Sequence, residues 1–334
     1  MRKNIVIIGG GTGTFTLLSG LKKYPANLSV IVSTADDGGS TGRLRRELGV
    51  MPTGDIRQCL LGLSDTNQEI KDLFAYRFEQ GPLKGHVAGN IIIAALEKLT
   101  GNIQLAIERL SKVLKVKGSI YPATLKPTTL SAILENGKVI RGEHNIDEPK
   151  VNLKPASARA GRDGFKIKNL KLEPSLPANP KAIGAILSAD VIVFGPGDLY
   201  TSILPNILPT GMAEAVKKSK AKKVLVANIM TKFGQTDGFK ASDFVKVSEK
   251  YLGGKIGAVL ENNKRPSSDI LKKYSTEKAK FVEADLKSGQ GLKVISENLI
   301  SDEVVKKASG DKLKRSWLRH DSDKLAKLIW KLLN

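Results

Sequence analysis

The chain has 334 residues, with 54 Lys and Arg against 33 Asp and Glu for a formal net charge of +21, and its 41% hydrophobic content excludes wholesale disorder. One cysteine, Cys59, excludes an internal disulfide and any multi-cysteine zinc or iron–sulfur centre, and no apolar run approaches the ~20 residues of a membrane span. The length fits two ordinary domains, or one large α/β domain carrying an insertion. After Met1-Arg2-Lys3 the apolar stretch Ile5–Ile8 stops at glycines, too short for an export signal, so a cytoplasmic protein is expected.

The charge is unevenly placed. Residues 1–100 hold 12 basic and 9 acidic side chains, net +3, whereas residues 101–334 hold 42 and 24, net +18. The excess is scattered lysine, as at Lys217, Lys218, Lys220, Lys222 and Lys223, and aromatics make up only 5%. With no aromatic–basic interleaving to stack bases, a solvated lysine-rich surface is expected rather than a nucleic-acid interface.

In chain order, Lys3–Ile8 reads as a strand, Thr14–Tyr24 as a helix and Leu28–Thr34 as a second strand. This β–loop–α–β opening, with strands apolar on both faces, predicts a doubly wound, mostly parallel sheet covered by helices. Helices follow over Asn67–Phe78, Asn90–Leu99 and Asn102–Leu114, with Asn90 as an expected N-cap. Near residue 116 the character changes. Ser119–Tyr121, Ser131–Leu134 and Lys138–Arg141 read as short strands, Asn136-Gly137 as a type I′ turn, and about 116–178 as a β-rich insertion within one domain spanning 1–334. The α/β rhythm returns with helices Lys181–Ser188, Met212–Lys218, Ser242–Leu252 and Ser322–Leu333 and strands Val191–Phe194, Val224–Asn228 and Ile256–Leu260.

Every unusual motif falls at a strand or helix end, where open α/β sheets bind ligands. Gly9-Gly10-Gly11-Thr12-Gly13-Thr14 follows the first strand. Glycines let the backbone approach a phosphate and the next helix offers free N–H groups. Read as GxGxxG, its third glycine is replaced by Thr14, and no GxxxxGK[ST] is present, which excludes a P-loop. An ordinary packing turn is the competing reading. Thr34–Arg45 ends the second strand with Asp36 and Asp37, which can take ribose hydroxyls or share a Mg²⁺. Gly38–Gly42, with Ser40 and Thr41, can form an anion nest beside Arg43 and Arg45; a simple turn and cap competes.

In Gly54-Asp55-Ile56-Arg57 the Asp–Arg pair reads more readily as structural than catalytic, and Cys59 has no nearby histidine to activate it. His86, in Gly85–Asn90, is either a general acid/base or a loop histidine. With His144 and His320 it makes no metal-ligand spacing. Gly195-Pro196-Gly197-Asp198 and Asn228–Thr231 with Gly234–Gly238 complete the set of loops that predicts a phosphorylated ligand.

The combination GGGTG, TADDGGSTGRLRRE, GDIRQCL, GHVAGN, GPGDLYTSILPN and NIMTKFGQTDG resembles the bacterial gluconeogenesis factor (YvcK-like) family, sister to the CofD phospholactate transferases. The resemblance runs to Arg319-His320-Asp321, nearly the whole chain. It implies a Rossmann-like core that binds a nucleotide sugar such as UDP-N-acetylglucosamine, with a role in carbon flux, gluconeogenic growth and cell shape and no established reaction. The CofD branch instead transfers a phospholactyl group from a guanosine diphosphate donor to a deazaflavin, using Mg²⁺. The family pattern places Gly11, Thr12, Gly13, Asp36, Asp37, Asn90, Gly195 and Gly197 at the ligand, with Tyr274 and Arg319 as C-terminal contacts. Gly10, Ser40, Thr41, Arg43, Asp198, Asn228 and Thr231 join the expected ligand set from the loops above. Three residues depart from the pattern: Gln58 stands where Asn is expected, Asp198 where Ser is expected and Gln235 where Glu is expected.

The DDGGSTGRLRRE loop has the YvcK form, and the only tryptophans, Trp317 and Trp330, give no deazaflavin motif. The expectation is a nucleotide-sugar-binding regulator, homo-oligomeric, with a regulatory protein partner. The alternatives are a Mg²⁺-dependent phospholactate-type transferase with Asp36 and Asp37 on the metal, or an NAD-dependent oxidoreductase, which lacks the full fingerprint.

Overall fold

Strand β1 (Lys3–Ile8) is the centre of the architecture. In the computed structural model, which describes residues 2–149, 166–302 and 316–333, β1 pairs in parallel with β2 (Ala26–Val32) on one side and β7 (Val191–Phe194) on the other. The sheet continues through β3 (Ser119–Pro122) beyond β2, and through β8 (Lys222–Val226), β9 (Ala258–Asn262) and β10 (Lys293–Glu297) beyond β7. The order β10-β9-β8-β7-β1-β2-β3, with every pairing parallel, is that of a Rossmann-like α/β fold.

Side chains along a strand alternate between faces, and both faces here are covered, which is why the strands are apolar throughout. Ile5 and Ile7 pack in one core with α1 (Gly11–Leu21), α3 (Gly54–Leu63) and α12 (Ser322–Lys331). Val6 and Ile8 pack in the opposite core with α8 (Pro180–Leu187), α9 (Met212–Lys218) and α10 (Ala241–Leu252). A small antiparallel sheet, β5-β4-β6, is formed by β4 (Thr129–Leu134), β5 (Val139–Arg141) and β6 (Ile167–Glu173), and buries Leu130, Ala132, Leu170 and Leu172 in that second core.

Several local expectations are corrected. Ser119–Tyr121 belongs to β3 in the main sheet, paired with β2, rather than to the small sheet. Of the 116–178 segment, residues 150–165 lie outside the described residues. At Asn136-Gly137 only the glycine takes a positive φ, 82°, and the Gly137 amide donates to the Leu134 carbonyl. That is a type I turn with a glycine bulge, because a type I′ turn needs both residues at positive φ. Two helices not assigned from the sequence, α2 (Gly39–Leu48) and α3, follow β2. Helix α4 (Gln68–Ala75) ends before Phe78, and the following chain folds back so that Arg77 bridges Val87. Helix α5 (Ala88–Thr100) has Val87 at its N-cap position, so Asn90 sits in its first turn and is not its cap. Helices α6 (Ile103–Val113), α7 (Glu143–Asp147) and α11 (Ser268–Thr276) complete the set that positions the site.

Candidate functional site

The strand order reverses between β1 and β7, and the carboxyl ends of β1, β2, β7 and β8 open there into one cleft of about 700 Å³. Helices α1, α2, α3 and α5 all begin at its wall, through Gly11, Gly39, Gly54 and the Val87–Asn90 turn. None of the four has a side-chain N-cap. Of the helices that start elsewhere, α4, α6, α8 and α12 are capped by Asn67, Asn102, Asn179 and Asp321, whereas α9 and α11 also lack a side-chain cap. A first turn without a side-chain cap presents backbone N–H groups, apart from the Gly11 amide that Asp55 takes, and the positive end of the helix dipole, each end worth about 0.3–1 kcal/mol toward an anion.

Most of the expected residues converge. Gly10, Gly11, Thr12, Gly13, Asp36, Ser40, Thr41, Asn90, Gly197, Asp198, Asn228, Thr231, Tyr274 and Arg319 all line the cleft. Asp37, Arg43 and Gly195 do not: Asp37 Oδ1 accepts from the His144 amide at 2.9 Å, Arg43 donates to the Lys84 carbonyl at 2.8 Å, and the Gly195 amide donates to the Ile8 carbonyl. Two glycines are required by close approach. A side chain at Gly10 would collide with the Asp55 carboxylate, and one at Gly13 with the Pro196 carbonyl.

Of the cleft's main titrating groups, Asp36 is expected there from the sequence, whereas Asp55 and Glu143 are not. Asp55 Oδ1 accepts from the Gly11 amide at 2.8 Å, across 44 residues of chain, and burial with Asp36 nearby pushes its carboxyl up to about 7. Burial also pushes Asp36 up to about 6, against hydrogen bonds from the Gly38 amide and the Thr41 hydroxyl. Glu143, on α7, is pushed up by burial and by Asp36 and Asp147. Arg57 Nε donates to Asn90 Oδ1 at 2.9 Å, so the Asp55–Arg57 motif supplies one residue to the loop of β1 and another to α5. Ser40 Oγ lies 3.1 Å from His86 Nδ1, with the imidazole buried and held below its usual range by burial and by Arg43. His86 therefore braces α2 from behind and does not line the cleft. Cys59 is buried and its thiol is pushed well up, which keeps it protonated.

Lys232, in the loop after β8, ties three segments together. Its ammonium contacts Asp147 on α7 and reaches Asp198 Oδ2, after β7, at 2.7 Å. Burial alone would lower its pKa, but Asp198 and Asp147 outweigh burial and raise it, so Lys232 stays charged. Asp147 Oδ1 also accepts from Thr201 and from Gln235 Nε2, each at 3.2 Å. Two of the departures from the family pattern, Asp198 and Gln235, thus meet in one cluster. The carboxylate added at 198 has a cation beside it, and the amide at 235 donates where a carboxylate would repel Asp147.

Farther along, the wall turns apolar. Ile229, Met230, Tyr274 and Leu318 belong to a separate buried cluster, and all four line the cleft with Phe233. The Tyr274 hydroxyl accepts from the Leu318 amide at 3.0 Å, fixing the segment that carries Arg319. Asn228 Oδ1 is buried without a hydrogen-bond partner among the described residues.

Asp36 and Asp37 are engaged separately, the first by Gly38 and the second by His144. Among the described residues no group of three or more His, Cys, Asp or Glu side chains is arranged to hold a metal ion. No described helix is long and apolar enough to cross a membrane.

Comparison with known proteins places the chain in a family. The family described as 2-phospho-L-lactate transferase CofD matches residues 5–300. A Bacillus subtilis protein named gluconeogenesis factor is 40% identical over 335 residues, spanning 99% of this chain and 98% of its own. A gluconeogenesis factor from Halalkalibacterium halodurans is 40% identical over 332 residues, spanning 98% and 96%. A crystal structure of a UPF0052 family member from Bacillus halodurans superposes with a TM-score of 0.87 at 38% identity, covering 99% of each chain. The chain belongs to the CofD family and, within it, to the gluconeogenesis factors.

Proposed function

We propose that the chain is a cytoplasmic regulator that binds a nucleotide sugar of the UDP-N-acetylglucosamine type and acts in central carbon metabolism, gluconeogenic growth and cell shape. The observation that carries this reading is the convergence on one cleft of four helix starts that have no side-chain cap. The amides of Thr12, Gly13 and Gly39–Thr41 suit a diphosphate, and the apolar wall of Met230, Phe233 and Leu318 suits a base. The unpaired Asn228 acceptor calls for a donor from the ligand. The buried, protonated Cys59 and the retracted His86 favour a binding role over nucleophilic chemistry. Binding then acts by stabilising whichever conformation it prefers, to the extent of its differential affinity.

Isothermal titration with UDP-N-acetylglucosamine tests the reading. Saturable heat at one site per chain is expected. Absence of heat with this and related nucleotide sugars overturns it.

A second reading, a phospholactate-type transferase, is favoured by the CofD match and by the two carboxyls that share the cleft floor, Asp36 and Asp55. These two, rather than Asp36 and Asp37, would hold a divalent cation, which would neutralise charge on a diphosphate donor. Loss of donor turnover in Asp36→Asn, with the fold intact, would establish that reading. Turnover by Asp36→Asn equal to that of the parent would remove it.

A further inference from the structure

The cluster around Lys232 has hydrogen-bonding capacity left over on the side that faces the cleft. An ammonium carries three N–H donors, and Lys232 commits two, to Asp147 and to Asp198. Asp198 uses only Oδ2; its other oxygen takes no hydrogen bond from a described residue. Four residues before Lys232, Asn228 lines the same wall and has an unpaired, buried Oδ1. One donor on Lys232 and one acceptor on Asp198 thus remain on the walls contributed by the loops after β7 and β8, with the unpaired Asn228 oxygen beside them.

Electrostatics decide what fits there. Two carboxylates against one ammonium leave the cluster net negative, so a phosphate would meet repulsion, while the uncapped helix starts a short way along the cleft offer donors. A hydroxyl suits the mixed end because it donates and accepts at once. Asp198 follows Gly197, which stands against the Gly10 carbonyl, so this end adjoins the glycine turn. We infer that Asp198 and Lys232 form a hydroxyl-reading subsite, which takes the sugar of a nucleotide sugar whose diphosphate lies on the amides of Thr12, Gly13 and Gly39–Thr41. The assignment rests on the nucleotide-sugar reading above and divides its cleft into a phosphate end and a polyol end.

Asp198→Asn removes the acceptor charge and keeps the shape. Titrations of the parent and variant chains with UDP and with UDP-N-acetylglucosamine separate the two ends. The variant is expected to lose about tenfold or more in affinity for the nucleotide sugar, the usual cost of one hydrogen bond to a charged group, and to bind UDP within about twofold of the parent. Retained UDP binding also reports that the cleft has folded. Equal loss for both probes, or no loss for either, overturns the subsite and leaves nucleotide-sugar binding standing. Failure of the parent chain to bind either probe overturns both.

Discussion

Replacing Asp55 by asparagine removes a carboxyl from the cleft floor while preserving its shape. In the folded chain Asp55 holds its proton to about pH 7, whereas in the unfolded chain it releases it near the ordinary 3.8. Between those values the folded state binds the extra proton, so stability falls as pH rises. The contribution is fully present below about 3.8 and lost above about 7. At about 1.4 kcal/mol per pH unit the full gap is on the order of 4 kcal/mol, and partial exposure reduces this to about 2–4 kcal/mol. His320 works in the opposite sense. Burial pushes its pKa from 6.5 down to about 4, so its contribution is present above 6.5 and lost as pH falls through about 4. It is common to parent and variant and cancels in their difference. Urea unfolding of both proteins, from about pH 4 to about pH 8, should show the Asp55→Asn variant gaining nothing at the acid end and about 2–4 kcal/mol at the alkaline end. A difference that stays constant with pH would refute the assignment of Asp55 as a carboxyl held protonated by burial.

Other substitutions probe the same geometry. Gly38→Ser supplies the missing cap of α2, and should leave thermal stability level or slightly raised while weakening nucleotide-sugar affinity about tenfold in a titration. Unchanged affinity would show that the α2 amides do not meet the ligand. Gly13→Ala drives a methyl into the Pro196 carbonyl and should cost about 1–3 kcal/mol by denaturant unfolding; a neutral result would mean the two loops separate easily. Lys232→Met leaves Asp147 and Asp198 facing each other without their cation and should cost about 1–3 kcal/mol, with parental stability the contrary result. Asn102→Ala removes the cap of α6, away from the cleft, and should cost about 1 kcal/mol without changing ligand affinity.

The glycine turns are legible in the sequence because their function is local. Gly10–Gly13, Gly197 and Asn228–Thr231 follow strands whose apolar character marks them plainly, and the structure brings their ends together. What the sequence conceals is non-local. Asp55 looks like an ordinary partner for Arg57, but its hydrogen bond goes to Gly11 and Arg57 turns to Asn90. Glu143 and Asp147 lie in a segment that reads as β-rich, and only the placement of α7 brings them to the cleft. Helices α2 and α3 are hidden because glycine, serine and threonine at their starts are poor helix formers, suited instead to presenting bare amides. Asp198 stands out against the family pattern, and its cation, Lys232, lies 34 residues on.

Bulk charge is also a poor guide to the ligand. In a chain of net charge +21 the cleft is lined by Asp36, Asp55, Glu143, Asp147, Glu148, Asp198 and Glu277 against Lys232, Arg57, Arg77 and Arg319 among the described residues. The positive groups a diphosphate would meet in the cleft are the backbone amides at the helix starts and these few cations, not the lysine-rich exterior.

A crystal structure of the chain with UDP-N-acetylglucosamine tests the central claim most directly. The diphosphate is expected on the amides of Thr12, Gly13 and Gly39–Thr41, with the sugar hydroxyls at Asp198 and Lys232. A diphosphate bound away from these helix starts would contradict that claim.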